Sequence, residues 1–131
     1  MPAFDWIEFL KLADKMVHDA TATESTWRTS VSRAYYATYH QALMTAAQLD
    51  PTVDATHTKH EQLIQWYKNA KHTSLAPTIG QALETLKRYR VRADYIASNP
   101  LGPKEANFSV SIARNIIKNT RTLPTVWSPV P

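Results

Sequence analysis

Residues 30–44 read SVSRAYYATYHQALM, and this stretch decides the fold. It lies in a run from Glu24 to Leu49 that contains no Gly or Pro, which predicts one long, unbroken helix. At about 100° per residue, apolar and small side chains gather on one broad face of that helix. The face comprises Trp27, Val31, Ala34, Tyr35, Thr38, Ala42, Ala46 and Leu49. We expect it to be the core side.

The opposite face of the same helix carries Arg33 and His40. Because of their spacing, the two side chains point the same way within roughly 20° and lie about 10 Å apart along the axis. Tyr36 lies between them on the edge of the face. A helix that faces solvent on this side would carry Lys and Glu, whereas small residues and one methionine fill the rest of it: Ala37, Met44 and Ala47. We therefore expect this face to be covered as well, by more of the bundle or by a second copy of the chain.

Composition indicates a single globular domain. The chain has 131 residues, 44% of them apolar and 20% charged, which is enough for one sizeable core. It contains no Cys, which excludes thiol nucleophiles, zinc ribbons and disulfides and suits a reducing, cytoplasmic location. The N-terminal residues show no signal peptide and no segment spans a membrane, so we expect no membrane association. The net charge of +4 permits an anionic partner such as RNA without requiring one.

The rest of the chain divides into further helical segments. No segment alternates apolar and polar residues over the length of a strand, and the eight Pro fall mainly between helical runs. We predict helices over 4–18, 24–49, 57–71, 77–98 and 104–120. A Thr of the link before the second helix is its predicted N-cap, and Pro77 suits the first turn of the fourth. The result is an all-α, up-and-down bundle of about five helices. The domain would span 1–123, with a Pro-rich extended tail over 124–131 that Trp127 pins to the body.

Two motifs follow one another along the chain. The first is Arg33-Ala-Tyr-Tyr-Ala-Thr-Tyr-His40, and the second is Leu86-Lys-Arg-Tyr-Arg-Val-Arg-Ala-Asp-Tyr95, which contains Arg-x-x-Ala-Asp-Tyr. In order and spacing they resemble the HEPN family (higher eukaryote and prokaryote nucleotide-binding domains), in which the first motif marks a signature helix and the second a later helix. His60 opens the helix after the signature helix, where these proteins often carry a His. The resemblance covers roughly the second to the fifth helix.

This resemblance implies a HEPN-like helical domain over 1–123, commonly a homodimer, that binds RNA or nucleotide. Many members of the family are metal-independent endoribonucleases of prokaryotic toxin–antitoxin, phage-defence or CRISPR-linked systems. Their active motif is an Arg and a His separated by four to six residues, and Arg33 and His40 enclose six. The implied partners are RNA or nucleotide, an antitoxin or a nucleotidyltransferase.

The chemistry of metal-independent RNA cleavage assigns roles to these residues. It requires a base for the 2′-hydroxyl, an acid for the leaving 5′-oxygen and positive charge on the phosphorane. His40 is the predicted acid and base because imidazole titrates near neutral pH, and Arg33 is the predicted phosphate clamp. Tyr36 is a predicted hydrogen-bonding or stacking partner, and His60 an auxiliary residue. The products would be a 2′,3′-cyclic phosphate and a 5′-hydroxyl.

No cofactor or metal is expected. His57 and His60 have the spacing of two ligands on one helix face, but neither Cys nor a carboxylate cluster accompanies them. The basic run on the fourth helix is a second candidate contact for a phosphate backbone, with Arg88 and Arg92 as predicted substrate-binding residues. A solvated helix face explains the run equally well.

The same residues also have a purely structural interpretation. Asp94 would form an ion pair with Arg33, His40 would be a hydrogen-bonded interface residue, and Asp94 and Tyr95 would tie the fourth helix to the second. In that case the chain is a non-catalytic interaction or dimerisation module that works beside a nucleotidyltransferase or another effector. We therefore retain two hypotheses, an RNA-binding enzyme and a binding module.

Overall fold

A computed structural model describes residues 4–128, and these residues form five helices and no strand. The helices are α1 (Ile7–Val17), α2 (Glu24–Leu49), α3 (His60–Asn69), α4 (Leu75–Tyr95) and α5 (Pro103–Val126). The predicted all-α bundle is confirmed. The end of the predicted tail, residues 129–131, lies outside the described part of the chain. In that described part, none of the helices combines the length and the apolar character needed to cross a bilayer.

Helix α2 is the centre of the bundle, since it packs against all four other helices. Six residues of its predicted core face are buried: Val31, Ala34, Tyr35, Thr38, Ala42 and Ala46. Trp27 and Leu49 pack on the edge of the core. Burial of this apolar face is the main driving force that joins α2 to its neighbours. One helix therefore carries both the core and the candidate site on its two sides.

The predicted start signals of two helices are confirmed. Thr23 precedes α2, and its backbone N–H donates to Thr26 Oγ1 at 3.2 Å. Pro77 lies in the first turn of α4, where its missing N–H is not needed by the helix. These local signals act within a few residues, so they can be identified from sequence.

The predicted start of α3 is wrong, because the helix begins at His60 and not near His57. Asp54 Oδ1 accepts the backbone N–H groups of Thr56 at 2.7 Å and of His57 at 3.1 Å. This turn is an alternative to helix for the same backbone donors. His57 therefore lies in an exposed loop.

The predicted end of α5 is also wrong, since the helix continues to Val126 through Pro124. Leu123 is fully buried, and its packing keeps the last turn on the body of the bundle. Residues 124–126 are thus helical and not an extended tail. Beyond them, the Trp127 ring stacks on Trp66 at 5.4 Å and on His72 at 3.9 Å between centroids, which confirms that Trp127 itself is pinned to the body of the bundle.

Two features fix the position of α4. At Gly80, a Cβ atom would lie 2.8 Å from the backbone nitrogen of Lys68, so the absence of a side chain lets α3 and α4 approach closely. At the other end, Arg28 of α2 donates through Nη1 to the carbonyls of Arg92 at 2.9 Å and Ala93 at 3.0 Å. A cation at a helix C-terminus also suits the helix dipole. Arg28 thereby holds the end of α4 beside the Arg33 end of α2.

Candidate functional site

Arg33 lies on the surface of α2 without a carboxylate partner among residues 4–128. Its guanidinium instead covers the ring of Phe9, 5.0 Å from the centroid, in a cation–π contact. The predicted Arg33–Asp94 ion pair is wrong. Asp94 Oδ2 lies 2.9 Å from Arg90 Nε on its own helix and accepts a hydrogen bond from Ser32 Oγ at 3.2 Å. The charge of Arg33 is therefore not neutralised within the described chain.

The Ser32–Asp94 hydrogen bond does join α4 to α2, as the sequence predicted for Asp94. Tyr95 makes no such link to α2. Its side chain is 70% exposed, and its hydroxyl accepts a long hydrogen bond of 3.3 Å from Arg90 Nη2. Asp94 thus contributes to the tie between the two helices, together with Arg28, and Tyr95 does not.

His40 is half-buried under an aromatic ring. The Trp6 ring stacks on it with 3.6 Å between centroids and an angle of 14° between planes. Burial lowers the pKa of His40, so the imidazole is neutral at pH 7. Its ring nitrogens form no hydrogen bond with any of residues 4–128, so the prediction of a hydrogen-bonded histidine is not met within one copy of the chain.

Trp6 belongs to a small group of rings that precedes and opens α1. Phe4 and Phe9 lie 5.1 Å and 5.5 Å from Trp6 between centroids, and we call these three residues the N-terminal aromatic cluster. Through Phe9 the cluster contacts Arg33, and through Trp6 it contacts His40. The two predicted catalytic residues are therefore covered by the same short segment.

His60 reaches this region from the start of α3. Its Nδ1 lies 2.6 Å from the buried hydroxyl of Tyr35, and its ring stacks on Tyr39 at 3.9 Å. Burial, followed by the positive charges of Arg90 and Lys87, lowers the pKa of His60 to about 4. His60 is therefore neutral at pH 7. Because Tyr35 occupies Nδ1, Nε2 is the nitrogen that remains for a ligand.

The two imidazoles lie near each other, on either side of Tyr36. The Tyr36 ring is 6.4 Å from the His40 ring and 6.3 Å from the His60 ring between centroids. Tyr39 also contacts both, and its hydroxyl donates to the carbonyl of Thr58 at 2.6 Å, which holds the loop before α3. The structure thus brings together three of the residues that the sequence predicted for the site, His40, Tyr36 and His60.

Arg90 is the residue that sequence reasoning missed. Its Nη2 donates to the Tyr36 hydroxyl at 2.7 Å, and its guanidinium covers the Tyr36 and Tyr95 rings at 5.3 Å and 5.1 Å. The Tyr36 hydroxyl oxygen accepts this hydrogen bond from Arg90, so the hydroxyl proton remains available to donate to a ligand. The spacing of Arg90 and Asp94, one turn apart on a helix, was the available signal, because opposite charges at that spacing interact.

The two predicted substrate-binding arginines of α4 differ in their surroundings. Arg88 is 69% exposed and lies 3.9 Å from Glu84, a weak surface contact. Arg92 donates to the carbonyl of Pro100 and lies 3.7 Å from Glu105, so it supports the junction between α4 and α5. Within residues 4–128, neither side chain contacts Arg33 or His40. Of the arginines in the basic run, Arg90 therefore joins the site through Tyr36, whereas Arg88 and Arg92 do not.

The surface beside His40 is partly apolar. Ala37 is buried, as expected for a covered face, whereas Met44, one turn beyond His40, is 57% exposed. Phe4 of the N-terminal aromatic cluster is 53% exposed. The chain's own bundle therefore covers only part of this face of α2. The prediction that the whole face is covered requires a second copy of the chain at the Met44 end.

In the part of the chain that the structure describes, no three His, Asp or Glu side chains are placed to hold a metal ion. Comparison of the chain with protein-family models, with curated proteins and with solved structures finds no match. The HEPN resemblance therefore stays a prediction.

Proposed function

We propose that the chain is a HEPN-like protein that binds RNA and cleaves it without a metal ion, as a homodimer in a prokaryotic toxin–antitoxin or defence system. One observation carries the proposal. Arg33, which has no carboxylate partner among residues 4–128, shares one face of α2 with His40, and His60 approaches the Tyr36 ring of that helix from α3. Both imidazoles are neutral at pH 7. A neutral imidazole accepts a proton, and an uncompensated guanidinium attracts phosphate.

In this proposal His40 takes the proton of the 2′-hydroxyl as that oxygen attacks the neighbouring phosphorus. The imidazolium that results then gives its proton to the leaving 5′-oxygen, so that one side chain performs both transfers. Arg33 stabilises the negative charge that builds on the phosphorane oxygens. The products are a 2′,3′-cyclic phosphate and a 5′-hydroxyl.

Tyr36 and His60 support the substrate in this scheme. The Tyr36 hydroxyl accepts from Arg90 and can donate to a phosphate oxygen or a ribose hydroxyl. His60 has a pKa of about 4, so it stays neutral near pH 7 and serves as a hydrogen-bonding partner through Nε2 and not as an acid. A two-fold dimer across the exposed Met44 end of α2 would add a second set of these groups.

The test is incubation of purified protein with total RNA in EDTA, with sequencing of fragments and analysis of their ends. The wild type should cut and leave 2′,3′-cyclic phosphates, and Arg33→Ala and His40→Ala should not. Arg121→Ala and His57→Ala are matched controls, because they remove an exposed arginine and an exposed histidine that are not among the predicted site residues. Cleavage that EDTA abolishes, or that all variants retain equally, would contradict the proposal.

A second candidate function is a non-catalytic module that binds a nucleotidyltransferase or another effector through the same face. The observation that favours it is the apolar surface beside His40, where Met44 and Phe4 are more than half exposed and Trp6 covers the imidazole. Expression in a bacterial host distinguishes the two functions. Growth arrest that His40→Ala relieves supports the enzyme, whereas a non-toxic wild type that co-purifies with the product of a neighbouring gene supports the module.

A further inference from the structure

A concave site lies between the end of α2 and helix α3. It is an open cleft of about 610 Å³ whose walls include Asp50, Trp66, His72 and Trp127. None of the residues of the candidate RNA site lines it. The cleft is therefore separate from the proposed ribonuclease site.

Aromatic rings form one wall of this cleft. Trp66 and Trp127 stack nearly parallel, at 11° between planes, and the His72 ring stacks on Trp127 at 12°. Indole faces attract planar groups and cations, and among aromatic side chains Trp binds cations best. The wall thus suits a ligand that is flat, positively charged or both.

Among residues 4–128, Asp50 is the one ionisable carboxylate of the lining, and no Lys or Arg lines the cleft. Its Oδ2 accepts from Trp66 Nε1 at 2.8 Å, and its Oδ1 accepts from the backbone N–H and the hydroxyl of Thr52 at 2.9 Å and 2.7 Å. The Trp66 bond, followed by the Thr52 bonds, holds the pKa of Asp50 below its usual range. The cleft is therefore locally negative in a chain whose net charge is +4.

Two hydrogen-bond acceptors in this cleft have capacity to spare. Each carboxylate oxygen accepts about two hydrogen bonds, so Asp50 Oδ2 can take one more besides Trp66. His72 Nδ1 is buried and has no hydrogen-bond partner among residues 4–128. Buried polar nitrogens are nearly always paired, which makes His72 Nδ1 a place for a donor from outside this set of residues.

We infer that the cleft binds an organic cation of the guanidinium class. A guanidinium is planar and positively charged and carries several N–H donors in one plane. It can therefore stack on the Trp wall, pair with the Asp50 carboxylate and donate to His72 Nδ1 at the same time. A phosphate or carboxylate ligand would meet Asp50 with no Lys or Arg of the lining to offset the repulsion.

Butylguanidinium and butylurea form a matched pair of probes, because they have nearly the same shape and differ in charge. Their binding can be followed by the indole N–H signals of the four Trp residues in two-dimensional NMR. We expect butylguanidinium to saturate with a dissociation constant in the millimolar range or below, to move the Trp66 and Trp127 signals, and to bind about tenfold more tightly than butylurea. Equal affinity for the two probes, or shifts confined to Trp6 and Trp27, would overturn the inference.

Variants separate charge from shape. Asp50→Asn should weaken butylguanidinium binding about tenfold, because it removes the charge and keeps an oxygen acceptor. Asp54→Asn is the matched control, since Asp54 caps a similar turn and does not line this cleft. His72→Phe keeps the ring stack on Trp127 and removes Nδ1, so it should also weaken binding even if Asp50→Asn fails to fold. Unchanged affinity in His72→Phe, together with equal affinities in Asp50→Asn and Asp54→Asn, would show that the cleft does not recognise the cation.

Discussion

Acid should destabilise the fold through His60. Burial and the neighbouring positive charges lower the pKa of His60 to about 4, whereas a histidine in the unfolded chain titrates near 6.5. Between these two values the unfolded chain binds more protons than the folded chain. The free energy of unfolding therefore falls as the pH drops from about 6.5 towards 4, and the contribution of His60 is complete above about 6.5.

The size of the effect follows from the same shift. One pKa unit corresponds to about 1.4 kcal/mol, so the full shift of His60 sets a ceiling of about 3 kcal/mol. His60 is only half-buried, and solvent screening reduces this to roughly 1–2 kcal/mol. Carboxylates with lowered pKa values, such as Asp50 and Glu61, start to lose their own contribution below about pH 4.5. The informative window is thus about pH 5 to 7, over which we expect His60 to cost roughly 1 kcal/mol.

Urea denaturation followed by far-ultraviolet circular dichroism at about pH 5 and pH 7 measures this loss. The wild type and His57→Gln should both lose about 1 kcal/mol of unfolding free energy between these pH values, because His57 lies in an exposed loop. His60→Gln should show a smaller loss, which comes from His40. Burial also lowers the pKa of His40, so this residue makes its own contribution to the pH dependence of the unfolding free energy. The comparison uses the difference between two pH values, so a lower overall stability of the variant does not affect it. Equal losses in the wild type and His60→Gln would refute the reasoning.

Two further predictions concern packing and access. Gly80→Ala should lower the free energy of unfolding by about 1–3 kcal/mol, because the added Cβ meets the Lys68 backbone at 2.8 Å. Gly102→Ala, whose Cβ meets only a flexible carboxylate oxygen at 3.3 Å, is the control in the same urea experiment, and a larger loss there would contradict the prediction. Trp6→Ala should uncover His40, raise its pKa towards the ordinary value and speed its modification by diethyl pyrocarbonate several-fold, as measured by mass spectrometry. An unchanged rate would show that Trp6 does not protect His40.

The fold was predictable wherever its causes are local. The long helix α2 follows from an uninterrupted run with one apolar face, and Thr23 and Pro77 mark helix starts by chemistry that acts within one turn. The predicted helix bounds are wrong where a competing turn or a contact between residues far apart in the sequence sets the bound. Asp54 captures the backbone donors before α3, and burial of Leu123 extends α5 past the point where its proline content suggests an end.

The site was predictable to the extent that it lies on one helix. Arg33, Tyr36 and His40 share a face by helix geometry alone, and the resemblance to a known family added His60 from α3. Arg90 and Trp6 were not predictable in the same way. Their contacts with Tyr36 and His40 depend on how α4 and the start of α1 cross α2, and no periodicity in the sequence encodes those crossings.

The ion-pair partner of Asp94 determines whether the charge of Arg33 is neutralised. Asp94 pairs with Arg90 one turn away on its own helix, and this leaves Arg33 with the face of Phe9. An exposed cation–π contact is worth about 0.5–1 kcal/mol, whereas a hydrogen bond between charged groups contributes about 1.5–3 kcal/mol. If the chain binds RNA as proposed, a phosphate would therefore displace Phe9 from Arg33, whereas an Arg33–Asp94 ion pair would compete with the phosphate. The Arg90–Asp94 ion pair thus has two effects. It takes Arg90 out of solvent, and it leaves Arg33 available to an anion.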